Sequence, residues 1–141
     1  MENYKEWYNR EMLPWFKKID LFIKTSEQGS FDTGEVAELL ELSPEELADV
    51  MAYNEIYRIT PVNFFDIMQS GSSEVCGFFR REVQVGSPEK YSPEEIAYIY
   101  KLDLSEIKKA ARELNLQRAG VWDLPKIFER IEIYTQGLKR G

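Results

Sequence analysis

Residues 31–59 read FDTGEVAELLELSPEELADVMAYNEIYRI, and this stretch carries two helical periods in close succession. Apolar side chains recur at three-to-four spacing within residues 36–40 and again within residues 47–51. Ser43 and Pro44 stand between them as a helix start signal, because a serine hydroxyl accepts from free amides and a proline needs no amide in the first turn. The short connection predicts two helices that cross steeply, as in a helix-turn-helix.

Glu46 follows Ser43 at the spacing of a capping box, S-x-x-E. We therefore expect its side chain to return to the Ser43 amide and to fix the first residue of the second helix.

The same pattern recurs later in the chain. A shift of 60 positions places residues 31–71 over residues 91–131 without a gap, and the apolar positions correspond. Identical pairs are Glu35 and Glu95, Ala37 and Ala97, Leu42 and Leu102, Glu46 and Glu106, Arg58 and Arg118, and Ile67 and Ile127. The sequence therefore predicts two related modules, each with two helices, a short extended piece and a third helix.

The N-terminal segment is rich in aromatic residues at helical spacing, which predicts an amphipathic helix from about Asn3 to Lys24. Pro14 interrupts the pattern, so the helix is either kinked or split there. The aromatic stripe either packs on the chain's own modules or forms a homodimer surface.

The predicted fold is all-α with little or no β structure. Its predicted segments are an N-terminal aromatic helix in 1–30, a first helix-turn-helix module in 31–71, a spacer helix and turn in 72–90, a second module in 91–134 and a flexible tail in 135–141.

Composition narrows the function classes. The 141 residues carry a net charge of −7, contain no histidine and have one cysteine, Cys76, which argues against a zinc finger, histidine-based catalysis and a disulfide framework. We find no signal peptide, membrane span, phosphate-binding glycine loop or nucleophile motif. The expectation is a cytoplasmic protein of bacterial or phage origin that is not an enzyme and has no cofactor, metal site or catalytic residue.

A sequence pattern in the first module resembles that of a known family. The pattern consists of T-G-E-V-A at 33–37, L-L at 39–40, L-S-P at 42–44 and Leu47. With the aromatic and aliphatic residues that follow, it resembles the helix-turn-helix of MerR-type regulators and phage excisionases, over residues 31 to about 70. In that group the second helix enters the DNA major groove. The resemblance therefore implies a transcription regulator that binds double-stranded DNA.

The two modules differ in charge. Residues 31–71 contain nine acidic residues and one basic residue, a net charge of −8, whereas residues 91–131 contain seven of each. We therefore expect DNA contact mainly through the second module, where the predicted contact residues are Ser105, Lys108, Lys109, Arg112 and, in the wing position, Arg118. The other interpretation is that these bases form ordinary surface pairs with Glu106 and Glu113.

The acidic first module allows an alternative function. Glu45, Glu46 and Asp49 either bind a basic protein partner, or imitate DNA, or form a solvated face without a partner. Likewise, Arg80 and Arg81 in the spacer either extend a basic patch or are neutralised by nearby acids.

Overall fold

The computed structural model describes residues 2–25 and 31–133, and these residues are all-α, which confirms the predicted fold class. In chain order the helices are α1 (Tyr4–Glu11), α2 (Leu13–Thr25), α3 (Thr33–Leu39), α4 (Pro44–Tyr53), α5 (Pro61–Ser70), α6 (Glu74–Val85), α7 (Pro93–Tyr100), α8 (Leu104–Glu113) and, after a 3-10 turn (Val121–Asp123), α9 (Leu124–Phe128). Extended pairing in these ranges is limited to isolated bridges. Among the described residues, no helix has both the length and the apolar character of a membrane span.

Backbone contacts divide the chain into two compact units. The first-module unit holds the described residues of 14–80, and the second-module unit holds those of 1–13 together with 81–133. The segment 1–30 is therefore not one piece, since α1 belongs to the second-module unit and α2 to the first. The other predicted segment boundaries stay predictions, and the tail predicted at 135–141 lies outside the described residues.

The break between α1 and α2 lies at Met12, two residues before Pro14. The first helix ends at Glu11, where the Met12 amide donates to the Tyr8 carbonyl at 2.9 Å, and the second begins at Leu13. Pro14 thus lies in a first turn, where an amide has no intrahelical acceptor, so the missing N–H costs no hydrogen bond. Of the two alternatives, the split helix is observed.

The first-module unit packs α3, α4 and α5 around one apolar core, with α2 and the start of α6 against it. Trp15 of α2 is 4% exposed and donates its indole N–H to the Leu39 carbonyl at 2.7 Å, which fixes α2 to the end of α3. Phe31 and Ile59 form an antiparallel bridge. The other buried residues of this core are Ile19, Val36, Ala37, Leu40, Leu42, Leu47, Phe64, Ile67, Met68, Val75 and Cys76.

The turn from α5 to α6 is tightly packed at Gly71. A Cβ atom there would lie 2.6 Å from the Cys76 sulfur and 3.1 Å from Leu42 Cδ2. Burial raises the pKa of the Cys76 thiol, which fits its packing as a small apolar side chain. Arg80 donates to the Gln69 and Gly71 carbonyls at 2.8 and 3.0 Å, so it satisfies carbonyl groups at the end of α5.

The second-module unit packs α7, α8 and α9 together with α1. Tyr4 of α1 is 2% exposed, meets Phe128 edge-on at a centroid distance of 4.8 Å and donates its amide to the Ile131 carbonyl at 2.7 Å. Tyr8 and Tyr100 complete the aromatic cluster, and burial raises the pKa of Tyr8 to about 12. The stripe of α1 thus packs within its own unit, while homodimerisation through it stays a prediction.

Arg81 belongs to this second unit and donates its Nε–H to the Ile99 carbonyl at 3.0 Å, near the end of α7. Arg80 and Arg81 therefore both bind main-chain carbonyls, a role that the sequence did not indicate.

The two modules share local backbone features at the 60-residue offset. The Phe31–Ile59 bridge recurs as Tyr91–Ala119. The left-handed residues are Glu41 (φ 57°) and Glu55 (φ 56°) in the first module and Lys101 (φ 56°) and Asn115 (φ 57°) in the second. Turn hydrogen bonds recur as well: Leu42 to the Ala37 carbonyl and Leu102 to the Ala97 carbonyl, Ile56 to the Met51 carbonyl and Leu116 to the Ala111 carbonyl. Matching turns at the offset of the sequence match support the interpretation as a repeat.

Candidate nucleic-acid interface

A short turn with defined hydrogen bonds joins α7 to α8 in the second module. Lys101 ends α7 in the left-handed conformation, and the Leu102 amide then bonds the Ala97 carbonyl at 3.0 Å. Asp103 caps α8, since its carboxylate accepts from the amides of Ser105 and Glu106 at 2.8 and 3.3 Å. The start of α8 is therefore fixed by its own sequence.

The two faces of α8 differ sharply. Ile107, Ala110 and Ala111 are buried, whereas Lys108, Lys109 and Arg112 are exposed. The spacing of three and four residues places the cations on the side of the helix opposite the core. The structure thus brings together three of the predicted DNA contacts on one helix.

Ser105 lies at the start of this face but has an internal partner. Its hydroxyl donates to the Asp103 carboxylate at 2.5 Å. This bond and the backbone amides of Glu106 and Ser105 lower the pKa of Asp103, so the carboxylate stays ionised at the start of α8. Ser105 could contact a phosphate only by turning its hydroxyl away from that carboxylate.

Two predicted contacts are engaged with the carboxylates that begin α7. Lys108 Nζ lies 3.7 Å from Glu94, and Arg118 Nη2 lies 3.3 Å from Glu95 and 3.2 Å from the Lys90 carbonyl. One of the two interpretations of the basic residues paired them with Glu106 and Glu113. The ion pairs of Lys108 and Arg118 are instead formed with the acids of α7, because the packing of α7 places these carboxylates beside them.

Lys109 and Arg112 form no ion pair with any residue in 2–25 or 31–133. Lys109 lines a surface cavity of about 250 Å³ together with Glu106, Glu113 and Arg130. Arg130 is paired with Glu113 at 3.1 Å. Lys109 and Arg112 are therefore the cations of α8 that would meet a ligand without first breaking an ion pair.

The corresponding face of α4 has the opposite charge. At the 60-residue offset, Ser105, Lys108, Lys109, Arg112 and Glu113 of α8 match, in that order, Glu45, Ala48, Asp49, Ala52 and Tyr53 of α4. All five α4 residues are exposed, and Tyr53 is 88% exposed. We call Glu45, Ala48, Asp49, Ala52 and Tyr53 the acidic face, and Lys108, Lys109 and Arg112 the basic face.

Glu46, the third acid predicted for protein binding, is not on the acidic face. Its carboxylate accepts from the Ser72 amide at 2.9 Å, in the turn before α6. Ser43 accepts from the Glu46 amide at 3.0 Å, but the expected return bond from the Ser43 amide is not formed. The capping box predicted for Glu46 was therefore wrong, because the α5–α6 turn supplies a competing amide.

Sequence reasoning missed the most exposed tryptophan. Trp122 is 89% exposed, and Val121 beside it is 62% exposed. Val121 lines an apolar cleft of about 230 Å³ with Tyr8, Tyr100 and Phe128. At the 60-residue offset Trp122 matches Val62, which is 82% exposed in the first module, but the sequence alone does not indicate the exposure of either side chain.

The described part of the chain holds no group of three or more cysteine, aspartate and glutamate side chains arranged to bind a metal ion. Comparison with known proteins identifies no relative, since no family model, curated protein or solved structure matches the chain.

Proposed function

We propose that the chain binds double-stranded DNA through the basic face of α8 and acts as a small cytoplasmic regulator of bacterial or phage origin. The observation that carries this proposal is the exposed set Lys108, Lys109 and Arg112 on α8, which follows α7 after a short turn. The sequence resemblance to MerR-type regulators and excisionases covers residues 31 to about 70, and the 60-residue repeat extends the expected role to α8.

The chemistry of the basic face suits a duplex. Lys108 and Lys109 would neutralise phosphates, and Arg112 carries the planar guanidinium that pairs with the O6 and N7 acceptors of guanine. Arg118 would join only after leaving Glu95, so its expected contribution is smaller than that of Arg112.

The overall charge of the protein disfavours DNA binding. The net charge is −7, and a monomer offers few phosphate contacts. We therefore expect weak binding that falls steeply with salt, and a dimer would be needed to reach high affinity at a two-fold site.

The test is fluorescence anisotropy with a random-sequence duplex at two salt concentrations. The variant Lys108→Ala with Arg112→Ala should lose affinity, and the slope of log K against log salt should become shallower by about 1, because the phosphate contact of Lys108 is removed whereas the Arg112 contact is to a base. Lys17→Ala with Lys18→Ala is the matched control, because it removes the same charge from exposed positions of α2. Unchanged affinity and slope in the α8 variant would reject the basic face as the DNA site.

The alternative function is binding of a basic protein partner by the first module. It is favoured by the exposed carboxylates of Glu45 and Asp49 on a helix, α4, that contains no lysine or arginine. Glu46 is less available to a protein partner, because its carboxylate already accepts a hydrogen bond from the Ser72 amide.

A further inference from the structure

We propose that the acidic face of α4 binds the basic face of α8 in a second copy of this chain. This proposal specifies the partner of the first module and does not depend on DNA binding. It starts from one relationship: equivalent faces of two related helices carry opposite charge.

The acidic face is open to a partner. Glu45, Asp49 and Tyr53 recur at every fourth position of α4, so they lie along one line of the helix surface. Ala48 and Ala52 flank that line and are also exposed, so the face is flanked by small side chains and another helix can approach closely. A tyrosine that is 88% exposed at its end adds apolar contact area.

The basic face is complementary in spacing as well as in charge. Lys109 and Arg112, the cations of α8 without an ion pair among the described residues, are three residues apart, and Glu45 and Asp49 are four apart, so each pair is separated by about one helical turn. An antiparallel or parallel approach of the two helices can therefore form two ion pairs at once. A guanidinium beside the Tyr53 ring would add a cation–π contact.

The interface joins two different surfaces, so it is heterologous. In a dimer, one copy would keep a free basic face and the other a free acidic face, which permits association beyond a dimer. One helix face on each side buries little area, so the complex belongs to the small, weak class and must depend on salt. DNA and a second copy would compete for α8, and self-association would lower the concentration of free DNA-binding sites.

The first experiment is sedimentation of the full chain from about 10 μM to about 1 mM, a range that covers weak complexes, at ionic strengths of about 0.01 M and about 0.15 M. We expect the average mass to rise with concentration at low salt and the association to weaken by about tenfold or more at the higher salt. A constant monomer mass over the whole range at low salt would overturn the proposal.

A charge swap then tests the pairing itself. Glu45→Lys with Asp49→Lys makes both faces basic, and Lys109→Glu with Arg112→Glu makes both acidic. Each variant alone should lose self-association, whereas the equimolar mixture should regain it, since each acidic face again meets a basic one. Failure of the mixture to associate, where the wild-type chain does, would reject these two faces as partners.

Glu35→Lys with Glu38→Lys is the matched control, because it reverses two exposed acids on α3 and leaves α4 unchanged. It should keep self-association close to that of the wild-type chain, and an equal loss in this control would reject a specific role for α4.

The duplex assay separates this proposal from DNA binding: the Glu45→Lys, Asp49→Lys variant should bind DNA at least as well as the wild-type chain whether or not the wild-type chain self-associates.

Discussion

The Arg118 guanidinium donates a hydrogen bond to the Glu95 carboxylate at 3.3 Å. The same carboxylate oxygen accepts from the Ser92 amide at 2.8 Å, and Ser92 in turn caps the Glu95 amide at 3.1 Å. The wing cation is thus tied to the capping box that begins α7. DNA can use Arg118 only by competing with Glu95.

Neutralising the acids of α7 should therefore raise DNA affinity. Glu94→Gln with Glu95→Gln releases Lys108 and Arg118, while a glutamine at position 95 can still complete the capping box. Because an exposed ion pair contributes about 0.2–1 kcal/mol, we expect affinity to rise about two- to tenfold at low salt with little change in stability. The measurement is anisotropy with a random duplex. Glu35→Gln with Glu38→Gln changes the net charge equally on α3, and an equal gain in that variant would contradict the local explanation.

Trp15 should matter for stability far more than Trp122. Trp15→Phe removes the hydrogen bond to the Leu39 carbonyl and leaves space in a buried site, so we expect a loss of about 1–3 kcal/mol in the free energy of unfolding. Trp122→Phe changes a side chain that is 89% exposed and should stay within about 0.5 kcal/mol. Urea denaturation followed by circular dichroism measures both variants. Similar losses in the two variants would contradict the described burial.

Gly71 should not tolerate a side chain. Because a Cβ atom would lie 2.6 Å from the Cys76 sulfur, either the Cys76 side chain or the α5–α6 turn must shift, so Gly71→Ala should cost about 1–3 kcal/mol. Cys76→Ala removes the sulfur and should recover part of that loss, with a coupling energy of at least about 0.5 kcal/mol in a double-mutant cycle. Additive losses in urea denaturation would mean that another contact of Gly71 limits the site.

The local signals in the sequence predicted the helices well, because caps and apolar periods act within a few residues. Ser92 forms its complete capping box, and α8 turns Ile107 and Ala110 inward as its period requires. Pro14 marked a break, but only packing decides between a kink and two helices.

The partners of the charged residues were harder to predict, because they depend on elements far apart in sequence. Glu46 was expected to bond an amide three residues away and instead binds Ser72, which only the α5–α6 turn brings near. One interpretation gave Lys108 a partner on its own helix, but α7 places Glu94 beside it. Spacing predicts which face a side chain occupies, whereas tertiary packing selects its partner.

Glu82 should make stability depend on pH. Burial raises its pKa above the ordinary value of 4.5, and its charge is felt by Tyr8 and Tyr100 in the same unit. A raised folded-state pKa means that the folded chain binds the proton more tightly, so the stabilising contribution is fully present below about 4.5 and is lost as pH rises through the folded-state pKa.

The variant Glu82→Gln lacks this titration. Its stability relative to the wild-type chain should increase as pH rises from about 4 to about 7, and the difference between the two chains cancels the titration of other groups such as Asp103. Urea denaturation at several pH values provides the measurement. A difference that is constant with pH, or that changes in the opposite direction, would contradict the raised pKa.

Glu55 occupies a left-handed position that the second module fills with asparagine. Its φ is 56°, and the matching residue, Asn115, has φ 57°. A left-handed conformation costs roughly 1–2 kcal/mol for most side chains and less for asparagine, whose short polar side chain bonds locally. Glu55→Asn should therefore stabilise the chain by about 0.5–1 kcal/mol in urea denaturation. The reverse change, Asn115→Glu, is the matched control and should destabilise the chain by a similar amount. The two turns are closed by equivalent hydrogen bonds, since the Ile56 amide donates to the Met51 carbonyl and the Leu116 amide to the Ala111 carbonyl, both at 2.8 Å. If both changes shift stability in the same direction, the two turns are not equivalent in energy despite their shared geometry.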